Sequence, residues 1–267
     1  GMGASLDEWD VLLNAMTQKG YTKAELLSAG LVVQNKKGGL YDKFRNRLML
    51  PVIDTRGDVV AFGSRVLDKS EPKYMNSSET LVYSKRRVLY GLNLAKKSKR
   101  PNIILCEGNL DIVTLHQAGF DNAVASMGTA LTVEQTRLLS RFTKELVLCY
   151  DNDNAGKIAT ERALQILNGS EFSVKVLQLP RRLVDGEYIK QDADDFIKFQ
   201  GPDAFERLLN GSENGVEFRM AQIAGKYDLK DDEARIAYCG EVSELLASLP
   251  GAVEREIYTG RAAEAAG

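Results

Sequence analysis

Acidic side chains stand directly after short apolar runs in this sequence of 267 residues. Glu107 follows the run that ends at Cys106, and Asp151 and Asp153 follow the run that ends at Tyr150. Carboxylates that converge repel one another, and they are tolerated mainly where their oxygens bind a hard cation such as Mg²⁺ or Mn²⁺. Such a cation supports phosphoryl transfer, because it neutralises charge on phosphate oxygens. The sequence therefore predicts a divalent-metal site built on Glu107, Asp151 and Asp153.

Three further acids can join this set. Asp111 lies four residues after Glu107, about one helical turn, so its carboxylate can point to the same side. Asp192 and Asp194 follow the loop after a later apolar run. A structural interpretation is also open, because the Asp-Asn-Asp segment at 151–153 can cap the helix that follows it. The recurrence of acids after several strands of one predicted sheet favours metal.

The elements that must position these acids alternate between strand and helix. From residue 101 to about residue 200, apolar runs and amphipathic segments follow one another with short connections, which is typical of a parallel sheet covered by helices. Residues that follow the strands of such a sheet meet at its carboxyl edge. The predicted strands are 103–106, 123–126, 145–150 and 173–179, and the predicted helices are 111–118, 133–141 and 155–167, the second capped by Thr132 with Gln135.

The flanking segments have other patterns. Ser5 with Glu8, and Thr22 with Glu25, have the spacing of capping boxes and predict two short helices, the second ended by Gly30. Two strand-like runs at 48–53 and 59–65 are joined by a turn-rich tetrad at 55–58 and predict a β-hairpin. Beyond residue 201 the predicted elements are helices at 203–209, 216–227, 231–248 and 252–265.

The charge is divided unevenly along the chain. Residues 1–100 carry 18 Lys/Arg and 10 Asp/Glu, whereas residues 101–267 carry 17 and 27, so regional charges of +8 and −10 underlie the total of −2. A basic surface attracts phosphate backbones, and an acidic one repels them unless metal intervenes. We therefore expect polyanion binding in the first part and metal binding in the second. Random clustering of charge on solvated faces is the alternative.

The composition is that of a soluble globular protein with a real core, since 44% of the residues are hydrophobic and 27% are charged. No apolar run approaches the roughly 18 residues that a membrane span needs, and no leader pattern opens the chain. We therefore expect a cytoplasmic location and no membrane partner. Gly1 before Met2 is interpreted as the scar of a cleaved tag, so we expect the chain to be a piece of a longer protein.

Cysteine and histidine are scarce. Cys106, Cys149 and Cys239 are odd in number and far apart, which argues against disulfides and a Cys-based zinc site. The first two close apolar runs and are expected to be buried. His116 is the only histidine, so a His-based hydrolytic triad with further ligands nearby is excluded, and packing is favoured over chemistry for His116 itself.

Two motifs resemble a known domain. Glu-Gly-Asn-Leu-Asp at 107–111 and Cys-Tyr-Asp-Asn-Asp-Asn-Ala-Gly at 149–156 resemble the Toprim domain that bacterial primases, topoisomerases and some nucleases share. Taken with further blocks in family order, from about residue 41 to residue 196, the chain resembles the RNA-polymerase core of the bacterial DnaG-type DNA primase. The further blocks are Phe-Arg-Asn-Arg-Leu-Met-Leu-Pro at 44–51, Phe-Gly-Ser-Arg at 62–65, Pro-Lys-Tyr-Met-Asn-Ser at 72–77, Leu-Tyr-Gly-Leu at 89–92 and Ala-Ser-Met-Gly-Thr-Ala-Leu-Thr at 125–132.

The resemblance implies a fold and an activity. The implied fold is mixed α/β and α+β, with a basic N-terminal α+β lobe at 1–99, a Toprim parallel-sheet α/β lobe at 100–200 and a C-terminal helical bundle at 201–267. The implied activity is the synthesis of short RNA primers for DNA replication, by metal-assisted nucleotidyl transfer from ribonucleoside triphosphates on a single-stranded DNA template. The replicative helicase is implied as a protein partner.

The resemblance also implies residue roles. Glu107 would be the central catalytic carboxylate, and Asp151 and Asp153 would be the principal ligands of Mg²⁺ or Mn²⁺. Tyr74 could stack on a base, with ordinary packing as the alternative. The supporting acids would be Asp111, Asp192 and Asp194, and the contacts to template or nucleotide phosphates would come from Arg45, Arg47, Arg65, Lys73, Tyr74, Asn76 and Lys85.

The sequence departs from the family pattern in places. Asn109 stands where an aromatic residue is usual, Asn152 where Gly is usual and Ala193 where Pro is usual, and the segment 181–190 looks like an inserted loop. No Cys/His set for the family's zinc-binding module is found, so we expect no zinc here. We also expect the helicase-binding region to be absent from this sequence. The alternatives are a Toprim nuclease or strand-passing enzyme, and a non-catalytic nucleic-acid-binding module.

Overall fold

The protein is described here from a computed structural model, over residues 1–128, 130–184 and 186–267. The chain divides into two compact units, one formed by residues 1–100 and 105–138 and the other by residues 101–104 and 139–267. In chain order the elements up to residue 139 are β1 (Gly3–Ser5), α1 (Val11–Gln18), α2 (Lys23–Ser28), β2 (Val32–Gln34), β3 (Leu40–Asp42), β4 (Arg47–Ile53), β5 (Val59–Val66), β6 (Tyr74–Asn76), α3 (Leu92–Ala95), β7 (Asn102–Cys106), α4 (Asn109–Gln117), β8 (Ala123–Ala125) and α5 (Val133–Leu139).

The remaining elements are β9 (Glu145–Leu148), α6 (Asn154–Leu167), β10 (Ser173–Val176), β11 (Arg182–Val184), β12 (Glu187–Ile189), α7 (Ala193–Gln200), α8 (Pro202–Asn210), β13 (Glu213–Asn214), α9 (Gly215–Ala224), α10 (Asp232–Ala247) and α11 (Ala252–Ala266). The predicted strands and helices of the central and C-terminal segments are therefore present, most with bounds shifted by one to three residues. None of the described helices is both long enough and apolar enough to span a bilayer.

A sheet with the order β1-β4-β5-β6 organises the first unit, and its strands pair antiparallel. The β4–β5 hairpin confirms the predicted one, and the carboxylate of Asp54 fixes its turn. Asp54 Oδ1 accepts hydrogen bonds from the backbone amides of Arg56, Gly57 and Asp58 at 2.8–3.1 Å. Gly57 has φ of 104°, a left-handed conformation that glycine adopts without steric cost.

The first predicted helix is wrong in position. Ser5 ends strand β1 and pairs with Arg47 of β4, and its hydroxyl accepts the Arg47 backbone amide at 3.0 Å. The hydroxyl is therefore used in the sheet, and α1 begins only at Val11. The second prediction is confirmed, because Thr22 and Glu25 form a capping box at the start of α2, and Gly30 follows the helix with φ of 67°.

A second sheet has the order β13-β10-β9-β7-β8 and supplies the predicted central sheet. Strands β9 and β10 are parallel, and β13 pairs antiparallel with β10 at the edge. The interior strands are buried along most of their length, including residues 103–106 and 146–148. This burial explains why they read as continuous apolar runs rather than alternating ones. Cys106 and Cys149 are buried within these runs, as predicted.

Helix α6 begins in close contact with the loop that precedes it. Asp153 is its N-cap residue, and the Asp153 side chain accepts the backbone amide of Gly156 at 2.8 Å. A Cβ atom at Gly156 would lie 1.9 Å from the carbonyl oxygen of Asp151. Glycine is therefore required at position 156, where the first turn of α6 packs on the loop that contains Asp151 and Asp153.

The C-terminal helices pack around a core of their own. This core is formed by Met220, Ile223, Tyr238, Val242, Leu246, Leu249 and Tyr258 from α9, α10, α11 and the α10–α11 connection. Asn214 forms a capping box with Glu217 at the start of α9, and Asp231 caps α10. The expected bundle of helices is thus present.

The segment 181–190, interpreted as an inserted loop, contains two paired strands. Strand β11 pairs antiparallel with β12, with Arg182 opposite Ile189 and Val184 opposite Glu187. We call residues 181–190 the insert hairpin. The sequence prediction missed these strands although a signal was present, because Asp-Gly at 185–186 is a typical two-residue hairpin turn.

We expect Gly156→Ala to lower the free energy of unfolding by about 1–3 kcal/mol, the usual cost of overpacking, because the new methyl group would collide with the Asp151 carbonyl oxygen. Urea denaturation measures the change. The matched control is Gly240→Ala, since a Cβ at exposed Gly240 within α10 would meet nothing within 4 Å. Alanine there should leave stability equal or raise it by up to about 1 kcal/mol. Equal losses in both variants would contradict the close approach at Gly156.

Candidate functional site

The acids of the first unit follow strand β7. Glu107 is half-buried immediately after Cys106, and Asp111 lies in the first turn of α4 with 7% of its surface exposed. Asp111 Oδ2 accepts the backbone amide of Gly108 at 3.1 Å. A Cβ at Gly108 would lie 2.6 Å from that oxygen, so glycine allows the loop to close on the carboxylate. Asp111 therefore holds the loop that carries Glu107.

The sheet formed by β1, β4, β5 and β6, which we call the basic sheet, reaches this loop within the same unit. A Cβ at Gly63 of β5 would lie 2.5 Å from Asn109 Nδ2 and 3.2 Å from Asn76 Oδ1. Asn76 Nδ2 donates to the carbonyl oxygen of Met127 at 3.3 Å. The predicted nucleotide-binding residue Asn76 thus lies at a junction between β5, the start of α4 and the segment after β8.

Two of the predicted basic side chains surround an exposed aromatic ring. The Arg65 guanidinium carbon lies 5.8 Å and the Lys73 ammonium nitrogen 5.5 Å from the ring centroid of Tyr74. Tyr74 is 52% exposed. An exposed ring flanked by two cations offers a stacking surface for a base beside contacts for its phosphates.

Arg45 and Arg47 differ in accessibility. The Arg45 guanidinium carbon lies 4.1 Å from the ring centroid of Trp9 and 5.0 Å from that of Tyr41. Arg47 is only 5% exposed, and its Nη2 donates to the carbonyl oxygen of Pro72 at 2.9 Å. Burial, with the charge of Arg45, lowers the pKa of Arg47 from its ordinary value. Arg47 thus braces the basic sheet from within.

Lys85 lies in the segment that joins the basic sheet to α3. Its backbone amide donates to Glu79 Oε1 at 2.8 Å, and its carbonyl oxygen accepts from Gln135 Nε2 at 3.0 Å. Gln135 is buried and forms the predicted capping pair with Thr132. The backbone of Lys85 is therefore held on both sides. The sequence also predicts that Gly128 and Thr129, before the helix capped by Thr132, can cradle a phosphate, but Thr129 lies outside the described residues.

The second unit contains the acidic loop after β9. Asp153 uses both carboxylate oxygens, because Oδ1 caps α6 and Oδ2 accepts from the Lys190 ammonium at 2.8 Å. These hydrogen bonds, that of Lys190 first, lower the pKa of Asp153 below its ordinary value. The Asp-Asn-Asp segment is interpreted from its sequence as a helix cap or as metal ligands. Asp153 is compatible with both roles, because one oxygen caps α6 and the other is directed away from the helix.

The pKa of Asp151 is shifted in the opposite direction to that of Asp153. Burial raises its pKa, and the neighbouring charges of Asp192 and Asp153 add to the rise, while Lys190 opposes it from 3.5 Å. Asn152 Nδ2 donates to the carbonyl oxygen of Leu179 at 3.0 Å and pins the loop to the chain that follows β10. The loop thus holds a half-buried carboxylate in a negative environment, which a bound cation would relieve.

A third group of acids lies at the start of α7. Carboxylate oxygens of Asp192, Asp194 and Asp195 lie within 4.8 Å of one another. Asp192 caps α7 by accepting the backbone amide of Asp195 at 2.8 Å, and Asp194 pairs with Lys198 at 2.5 Å. Burial, together with Asp192 and Asp194, raises the pKa of Asp195. This all-oxygen donor set fits a hard divalent ion such as Mg²⁺ or Mn²⁺.

The structure therefore brings some predicted acids together. Asp151 and Asp153 share Lys190, and Asp192 is close enough to affect the titration of Asp151. Glu107 and Asp111 belong to the other compact unit, so their convergence with the aspartates stays a prediction. Sequence reasoning missed two site residues, Asp195 and Lys190. A signal for Asp195 was its position next to Asp194, whereas the pairing of Lys190 depends on the path of the insert hairpin.

Three family models match the chain. The N-terminal domain of the DNA primase catalytic core matches residues 1–96, and a Toprim-like model matches residues 104–197. A model described as the DnaB-helicase binding domain of primase matches residues 216–267. The expectation that the helicase-binding region is absent is therefore wrong. It rested on the position of that region at the far end of the family's chains, whereas the matched segment begins at residue 216, soon after the Toprim-like match ends at residue 197.

Known proteins resemble the chain over nearly its whole length. A DNA primase of Clostridium acetobutylicum is 43% identical over 259 residues, which cover 97% of this chain and 42% of that protein. The chain thus spans about two fifths of the length of such curated relatives. A solved DnaG primase catalytic domain bound to single-stranded DNA has a TM-score of 0.82 at 32% identity, over 98% of this chain and 84% of that one.

The Escherichia coli primase catalytic core is similar to the same degree. Its TM-score is 0.81 at 32% identity, and the likeness covers 100% of this chain and 84% of that one. The match runs through the basic sheet, the acid-bearing loops and the C-terminal helices rather than stopping at the Toprim-like part. The chain belongs to the DnaG-type bacterial DNA primase family and corresponds to its catalytic core.

Proposed function

We propose that this chain synthesises short RNA primers on a single-stranded DNA template during DNA replication, as a DNA-directed RNA polymerase that uses ribonucleoside triphosphates. The observation that carries the proposal is the likeness to DnaG catalytic domains across the whole chain, one of them bound to single-stranded DNA. A Toprim-like match alone would leave nucleases and strand-passing enzymes equally open. The match of residues 1–96 to the N-terminal domain of the primase core favours polymerisation.

The acids supply the metal-binding part of the proposal. Glu107 is the proposed catalytic carboxylate, and Asp151 and Asp153 are the proposed principal ligands of Mg²⁺ or Mn²⁺. The supporting acids are Asp111, Asp192 and Asp194. A bound divalent ion would lower the pKa of the primer 3′-hydroxyl and neutralise charge on the phosphates. The chain's own part is to hold these oxygens in place, through the capped starts of α4, α6 and α7.

The basic sheet supplies the part that binds polyanions. Arg65 and Lys73 flank the exposed Tyr74 ring, so one base can stack while the adjacent phosphates meet positive charge. Arg45, Asn76 and Lys85 are the further proposed contacts to template or nucleotide phosphates. Arg47 is buried and is proposed to act indirectly, since it donates a hydrogen bond to the carbonyl oxygen of Pro72 and so holds the backbone next to Lys73.

The C-terminal helices supply the proposed protein contact. Residues 216–267 match a helicase-binding model and comprise α9, α10 and α11. We assign binding of the replicative helicase to this segment. The shared core of these helices supports the assignment, because it gives them a fixed arrangement that a partner can recognise.

Loss of the proposed catalytic acids should abolish RNA synthesis. We expect Glu107→Gln and Asp151→Asn each to reduce incorporation of labelled ribonucleotides on single-stranded DNA by at least about 100-fold in Mn²⁺, because each removes a charge at the metal site. Gel analysis of the RNA product measures the effect. Exposed Glu256 in α11 offers the matched control, and Glu256→Gln should synthesise RNA at the wild-type rate. Metal-dependent cleavage of the DNA without RNA product would instead support a Toprim nuclease.

Removal of one basic contact should change how binding depends on salt. We expect Lys73→Ala to weaken binding of a single-stranded oligonucleotide and to reduce the slope of log K against log[salt] by about 0.7, the value for one phosphate contact on a single strand. Fluorescence anisotropy across a salt series measures both quantities. Lys230→Ala removes an equal charge at an exposed position outside the basic sheet and should leave the slope unchanged. An unchanged slope in Lys73→Ala would show that Lys73 contacts no phosphate.

A further inference from the structure

Lys190 is the last residue of the insert hairpin and lies two residues before the cap of α7. It directly follows β12, and the next residue, Gln191, is 3% exposed and donates through Nε2 to the carbonyl oxygen of Pro180 at 2.6 Å. The residue after that, Asp192, is the cap of α7. The backbone of Lys190 is therefore tethered on its C-terminal side, while its side chain remains 57% exposed and free to reorient.

The ammonium group lies on the oxygen that a metal would need. Asp153 Oδ1 is engaged by the Gly156 amide, so Oδ2 is the oxygen left for a ligand, and Lys190 Nζ lies 2.8 Å from it. The same nitrogen lies 3.5 Å from Asp151 Oδ2. One side chain thus spans both carboxylates that are the proposed principal metal ligands.

We propose that Lys190 is a built-in counter-cation that holds Asp151 and Asp153 in the metal-free protein, competes with the divalent ion for the same oxygens and thereby sets the metal affinity. This inference rests on the proposed metal site at Asp151 and Asp153. An ammonium and a divalent ion at one carboxylate oxygen repel each other, so the metal binds as the ammonium leaves. The flexible four-carbon stem and the exposure of the side chain allow that departure.

The competition predicts the direction in which metal affinity changes when the Lys190 ammonium is removed. In the metal-free protein Lys190 offsets the repulsion between two carboxylates, which makes the empty state more stable than it would otherwise be. Metal binding must overcome this stabilisation, so removing the ammonium tightens binding. Because Lys190 is more than half exposed, each of its two pairings is weak, and we expect their joint loss to raise the affinity by about threefold to tenfold.

Isothermal titration with Mn²⁺ on the whole chain, in about 150 mM salt to screen distant charges, tests the inference. Lys190→Gln should bind Mn²⁺ about threefold to tenfold more tightly than wild type, whereas Lys190→Arg, which keeps the charge, should stay within about twofold. Lys144→Gln is the matched control, because Lys144 pairs with Glu171 on the surface of the same unit. This control should also stay within about twofold of wild type. Circular dichroism establishes that each variant is folded.

The outcomes separate this inference from the proposed function. Binding to Lys190→Gln that is equal to or weaker than wild type overturns the role of Lys190, provided that wild type binds Mn²⁺ and Asp151→Asn does not. An equal gain in Lys144→Gln also overturns it, because the effect would then follow from net charge alone. If wild type and Lys190→Gln both fail to bind, the metal site itself is refuted. Binding by Lys190→Gln with none in wild type supports the competition.

Discussion

Like charges held close together must be offset by positive charge, and the acidic loops of the second unit are arranged around that requirement. Two lysines and two helix N-termini provide the positive charge. Lys190 lies on Asp151 and Asp153, and Lys198 lies on Asp194. The N-termini of α6 and α7, each with partial positive charge from its backbone amides, face the capping aspartates. Without these groups the loops would lose the interactions that define their conformation.

The same carboxylates therefore serve the fold and the proposed metal site. Asp153 illustrates the division, since one oxygen caps α6 and the other is directed toward cations. The cap can form only because Gly156 lets the helix approach the Asp151 carbonyl oxygen. A helix that starts here fixes the spacing of the two aspartates more firmly than a free loop would. The proposed metal ligands are thereby held in place before any ligand arrives, which lowers the cost of binding.

Local patterns predicted the longer central strands and most of the helices, whereas the short strands β2, β3 and β6 and the helices α3 and α7 were missed. Long-range contacts account for the errors in placement. The prediction of Thr22 as a helix cap is confirmed, because its partner Glu25 is only three residues away. The prediction of Ser5 as a cap is wrong, because its hydroxyl accepts a hydrogen bond from the backbone amide of Arg47, 42 residues away. The buried strands were recognisable because their burial on both faces leaves continuous apolar runs. The acids were found by their position after those strands. The pairing of Lys190 with Asp151 and Asp153 was not predicted, because it depends on where the insert hairpin places its last residue.

The residues that depart from the family pattern each have a structural role in this chain. Asn152, where glycine is usual, donates to the carbonyl of Leu179 and so gains a tether for the acidic loop. Ala193, where proline is usual, is buried at the first position of α7, where proline is favoured mainly because the amide there needs no partner. Asn109, where an aromatic residue is usual, packs close to Gly63 of the basic sheet. None of these changes removes a carboxylate, and the insert hairpin adds a cation beside two of them. All the carboxylates proposed as metal ligands are therefore present in this chain, and Asn152 and Lys190 are among the groups that hold and neutralise them.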